Sequence, residues 1–177
     1  MSKCIYTESD VTNSASQLII TDVSLDGSVR SFAQQRFKRS FPKAYEAVIQ
    51  MLKMSNHKKD DKTYGAKVGD VIWTTSGGNK HLGFCIVRES ANKPLNTKAV
   101  KLCMKSAREK ARSLKKEYVG MDLFASDTPE EWASIVGIVE DNLEEIQGVV
   151  CIPTNDALVK VLENLPGSNE FKIMKNK

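Results

Sequence analysis

The 177-residue chain contains no run that approaches the roughly 18 to 20 consecutive apolar residues of a membrane span. Its opening, MSKCIYTESD, lacks the basic-then-apolar order of a secretory signal. A cytoplasmic protein without membrane contact is therefore expected. Cysteine and histidine are sparse: Cys4, Cys85, Cys103 and Cys151 form no CxxC pair, and His57 and His81 are too isolated to complete a zinc set. The cysteines read as reduced, buried thiols, with no metal and no cofactor expected. The chain also has no GxSxG, HExxH, GxxxxGKS/T or GxGxxG, so the commonest hydrolase, zinc-protease, P-loop and dinucleotide signatures are excluded.

What is present is an ordinary globular composition, 41% hydrophobic and 27% charged, in a chain long enough for one compact domain over residues 1–167 followed by a polar tail over 168–177. A formal net charge of +4 favours an anionic ligand or partner without identifying one. Apolar and alternating runs predict strands at 3–7, 17–21, 70–75, 81–87, 119–124 and 148–153. Helical spacing covers 31–52, broken at Pro42, and 96–118, where Val100, Cys103, Ala107, Ala111, Leu114 and Tyr118 make one stripe. A capping box at Thr128, Pro129 and Glu131 opens another helix, and a last one runs over 155–165. The insertion at 54–65 has the composition of a solvated loop, and the tail that of a frayed end. Strands alternating with helices imply an α/β domain with helices on both faces of a largely parallel sheet, binding ligands at the carboxyl ends of its strands.

The loops at those ends resemble the macro domain, the ADP-ribose-binding module with a three-layer α/β/α fold and a mixed, mostly parallel sheet. ESDVT at 8–12 resembles the first-strand exit, with Asp10 at the position that faces the adenine amino group and Ser9 in place of a glycine. QLIITDVS at 17–24 resembles the second strand, ending at Ser24 where active members carry an asparagine. In the phosphate loop that follows, Gly27 keeps the first glycine, Arg30 and Phe32 replace two others, and the next helix closes at Phe41-Pro42. YGAKVGDVIWT at 64–74 and HLGFCIVRESANKP at 81–94 are similar to the branch that includes the terminal ADP-ribose protein glycohydrolase. In MDLFASDTPEEW at 121–132, Trp132 matches the second ligand loop, while Phe124 and Ser126 stand at its glycine positions.

The resemblance implies a nucleotide ligand, ADP-ribose or an ADP-ribosylated group, with Asp10 at the base and Gly27, Arg30 and Ser31 near the phosphates. Phe32 and Phe124 either reshape the groove or extend the core over it. An arginine beside a helix N-terminus can fork onto a phosphate, as Arg30 would, or sit solvated at the surface. If chemistry is retained, it is that of an ADP-ribosyl hydrolase or ADP-ribose phosphatase, with Ser24, Arg88 and Asp127 as candidates. Arg88 falls near the family's lysine and Asp127 or Thr128 near its aspartate, but arginine stays protonated and is a poor nucleophile, so the usual catalytic set is not intact.

An alternative rests on one helix. Lys98, Lys101, Lys105, Arg108, Arg112 and Lys115 recur at spacings of three and four and share a face. That strip is either a solvated surface or a contact for nucleic acid or an acidic protein. A compact chain of this kind, used as a non-catalytic binding module, suits a viral or bacterial accessory protein.

Overall fold

The computed structural model describes residues 3–29, 32–57, 65–165 and 172–174. Strands β1 (Ile5–Glu8), β2 (Leu18–Ser24), β3 (Val71–Thr75), β4 (His81–Arg88), β5 (Tyr118–Met121), β6 (Gln147–Ile152) and β7 (Lys172–Met174) form one sheet in the order β3-β4-β2-β5-β6-β1-β7. Every pairing is parallel except β3 with β4. Helices α1 (Phe32–Ser40), α2 (Pro42–His57), α3 (Thr97–Ser113), α4 (Pro129–Asn142) and α5 (Asn155–Asn164) make the outer layers.

Alternation along the strands divides the core in two. Leu18, Ile20, Cys85, Val87, Val150 and Ile152 point toward α3, α4 and α5, where Val100, Ala107, Ile135, Val139 and Leu158 meet them. Ile19, Val23, Leu82, Phe84 and Ile86 point the other way, toward Phe37 of α1 and Tyr45, Val48 and Leu52 of α2. There Phe37 meets the edge of Phe84 with ring centroids 5.2 Å apart. All four cysteines are buried and unbridged. No described helix is long and apolar enough to cross a membrane.

Pro42 separates α1 from α2, as its missing N–H requires. Side-chain caps begin three of the helices: Asn96 Oδ1 accepts from Ala99 N at 3.0 Å, Thr128 Oγ1 from Glu131 N at 3.2 Å and Thr154 Oγ1 from Ala157 N at 3.2 Å. Three boundaries depart from the sequence reading. The long helix ends at Ser113, not near 118, because Lys115 adopts φ 56° and Lys116 N folds back onto Ala111 O at 2.8 Å. The insertion begins later than expected, since α2 runs on through His57; residues 58–64 lie outside the described residues. Part of the tail is also ordered, with Lys172–Met174 extending the sheet alongside Ile5, Tyr6 and Thr7.

Candidate functional site

Because β1, β2, β4, β5 and β6 run parallel, their exits at Glu8, Ser24, Arg88, Met121 and Ile152 lie along one edge of the sheet. At the first exit Asp10 caps a single turn of 3₁₀ helix, Val11–Asn13, and its Oδ1 accepts from Thr12 N at 3.1 Å and Thr12 Oγ1 at 2.9 Å. Its Oδ2 forms an ion pair with Nε of Arg36, on α1. The carboxylate is thereby fixed at the edge, still partly open to solvent, with one oxygen able to accept a further bond.

After β2 the chain turns at Gly27, where φ is +79° and the N–H donates to Ser24 O at 2.9 Å. A Cβ there would lie 3.2 Å from Lys53 Cγ and 3.5 Å from Ile49 Cγ2 on α2, so conformation and packing both require glycine. The loop is tied sideways to the exit of β4: Leu25 N donates to Arg88 O at 2.9 Å and Asp26 N to Glu89 O at 3.1 Å. Arg30 and Ser31 lie outside the described residues, as does the side chain of Phe32, which begins α1.

Below this edge lies a polar centre that the sequence reading missed. Asp22 and Arg88 are both fully buried, and Arg88 Nη1 donates to Asp22 Oδ2 at 2.6 Å. Gln34 Nε2, from α1, reaches the same oxygen at 2.8 Å. The second guanidinium nitrogen, Nη2, donates to the carbonyl of Phe124 at 2.9 Å. Asp122, also buried, accepts from Phe124 N and from Thr21 Oγ1, both at 2.9 Å. The Phe124 peptide group is thus held on both sides, and this matters because Phe124 and Ala125 have φ of 53° and 55°, a conformation that costs a non-glycine residue about 1 to 2 kcal/mol. Side chains here hold a turn that glycines would adopt without strain.

Of the two buried carboxylates only Asp22 pairs with the arginine, while Asp122 is held by Phe124 N and Thr21 Oγ1. Burial, followed by the negative charge of Asp22, pushes the Asp122 carboxyl up to about 7. Burial also raises Asp22, against the opposing pull of Arg88. Ser24 Oγ, Asp22 Oδ1 and Arg88 Nε have no hydrogen-bond partner among the described residues.

These contacts reassign several residues. Phe124 does not line the groove: its side chain is fully buried in the core among residues of α3 and α4. Ser24 and Arg88 meet across β2 and β4 with both residues buried, and Arg88 braces Asp22 against the Phe124 carbonyl. Ser126 closes the second loop, with N and Oγ both donating to Leu123 O at 3.1 and 2.6 Å and its own carbonyl accepting from Trp132 Nε1 at 3.1 Å. Asp127 is exposed at the start of α4, with its N–H toward Glu131 Oε1. On α3, Arg108 and Arg112 are engaged by Glu109, Glu144 and Glu145, while Lys98, Lys101 and Lys105 remain exposed, and Lys115 lies beyond the helix end. No group of three metal-ligating side chains occurs among the described residues.

No protein-family model and no curated protein matches the chain. Solved structures do. The macrodomain of Mycobacterium tuberculosis DarG superposes with a TM-score of 0.65 at 15% identity, over 86% of this chain and 100% of that one. The fold is that of a macrodomain. An Oceanobacillus iheyensis macrodomain mutant with ADP-ribose matches with a TM-score of 0.67 at 14% identity, over 90% of this chain and 89% of that one. A Trypanosoma brucei macrodomain in complex with ADP-ribose matches at 0.60 and 11% identity, over 89% and 67% of the two chains. The strand exits carrying Asp10 and Gly27 are the candidate site, and the buried Asp22–Arg88 pair and Asp122 lie beneath them.

Proposed function

We propose that this macrodomain-fold protein binds ADP-ribose or an ADP-ribosylated group at the carboxyl edge of its sheet, and that it does so without hydrolysing the ligand. The observation that carries the reading is Asp10, fixed at the exit of β1 by Thr12 and Arg36 with acceptor capacity to spare, on a fold whose solved examples include ADP-ribose complexes. The carboxylate would accept from the adenine amino group, and the Gly27 turn would border the phosphates. Burial of two of the candidate catalytic residues supports the reading that hydrolysis is lost. Ser24 and Arg88 are enclosed, and Arg88 is committed to Asp22 and Phe124 O.

The basic face of α3 supports the nucleic-acid or acidic-protein alternative less well, because Glu109, Glu144 and Glu145 neutralise its Arg108 and Arg112. Thermal unfolding in the presence of ADP-ribose tests the reading. Ligand at a hundred times its Kd should add about 2.7 kcal/mol of stability, and an ADP-ribosylated carrier protein should keep its label. An unchanged midpoint would remove the binding claim, and release of label above the buffer rate would remove the claim that hydrolysis is lost.

A further inference from the structure

A cavity of about 350 Å³ is lined by Thr7, Ser9, Ser14, Ala15, Ser16, Tyr118 and Val149, and neither Asp10 nor Gly27 is among its lining residues. It sits on the sheet face that α1 and α2 share, where the segment after the 3₁₀ turn crosses β5. Gly120 permits that crossing: a Cβ there would lie 2.6 Å from Ser14 Oγ. Ser16 Oγ lies 2.9 Å from both Leu18 O and Tyr118 O, and its single proton ties the segment to these carbonyls.

The wall carries hydroxyls and methyl groups and no charged side chain. Lys80, behind it, spends its ammonium on the carbonyls of Ser14 and Ser16. An anion entering the cavity would lose hydration with no cation to replace it. A purely aliphatic ligand would leave Thr7 Oγ1 as it is, buried and without a hydrogen-bond partner among the described residues. Ser9 Oγ beside it is enclosed too and lies against the Cys151 thiol. The half-exposed Tyr118 ring stands at the rim. A cavity at the lower end of the size range for ligand pockets holds one ring system and little more.

We propose that this cavity is a second ligand site, separate from the groove, for an uncharged flat heterocycle whose edge carries an amide or paired donor and acceptor. Thr7 Oγ1 both donates to and accepts from that edge, and Val149 and Tyr118 cover the ring.

The test is an NMR titration of the whole chain with nicotinamide and, separately, with uracil. Amide shifts should saturate at Thr7, Ser14–Ser16 and Val149 with a Kd of about 1 mM or lower for at least one probe, and added ADP-ribose should leave them unaltered. Thr7→Val should weaken that binding by about fivefold or more while leaving ADP-ribose binding unchanged. Val149→Phe should fill the cavity and abolish it; Thr7→Val, nearly isosteric, carries the test if that variant fails to fold. Absence of saturable shifts at these residues by about 10 mM of either probe, shifts confined to Asp10 and Gly27, or full binding by Thr7→Val would each overturn the proposal. Failure of ADP-ribose itself to bind would leave this site's result standing, since the two are read at different residues.

Discussion

Replacing Arg88 with methionine should be among the most damaging single changes in the protein. Both side chains of the Asp22–Arg88 pair are fully buried, so removing the guanidinium strands a carboxylate in the interior and leaves the Phe124 carbonyl without its donor. Breaking such a pair from one side costs about 3 to 5 kcal/mol, which for a chain of this size lowers the thermal midpoint by roughly 6 to 20 °C. The double variant Asp22→Asn, Arg88→Met should recover much of that loss, because the buried charge is gone and an amide oxygen remains for Gln34. Urea unfolding of the two single variants and the double closes the cycle. If Arg88→Met lies within about 1 kcal/mol of the parent, or the double variant loses the sum of the singles, the brace is not a coupled buried pair and the account of the buried polar centre fails.

Other consequences can be measured separately. The Asp122 carboxyl is pushed up to about 7, mainly by burial and then by Asp22, so the native state holds a proton that the unfolded chain releases nearer 3.8. Its contribution to stability is therefore fully present below the unfolded value and lost as pH rises through about 7. Asp122→Asn should flatten that part of the curve between pH 4 and 7 in urea titrations, and an unchanged slope would contradict the assignment. Gly27→Ala should cost about 1 to 2 kcal/mol in the same assay, since it meets Lys53 and Ile49 at φ +79°; a neutral effect would mean that the turn relaxes freely. Lys98→Glu, Lys101→Glu and Lys105→Glu together should leave ADP-ribose affinity intact, and a large loss would place α3 in the binding face.

The elements that position the site were legible in the sequence because each is locally encoded: strand alternation in QLIITDVS and HLGFCIV, the capping box at Thr128, the break at Pro42. Asp10 and Gly27 were legible too, as an aspartate at a strand exit and a glycine at a turn. The buried polar centre was not. Asp22 and Arg88 are 66 residues apart and meet only through the register of β2 on β4, which shifts between Val23 and Ser24. A charged residue in β2, a strand buried along its whole length, was the available signal. Phe124 was placed at a glycine position by the resemblance, yet the positive φ that turns its ring into the core depends on tertiary contacts with Arg88 and Asp122. The strand at Lys172–Met174 was hidden for a similar reason: its polar surroundings read as a tail, and its order comes from pairing with β1.

Isothermal titration of the intact protein with ADP-ribose addresses the central claim most directly. The account predicts saturable binding at one site with a Kd of about micromolar order, weakened about tenfold by Asp10→Ala. No heat at about millimolar ligand, or full affinity in Asp10→Ala, would contradict it.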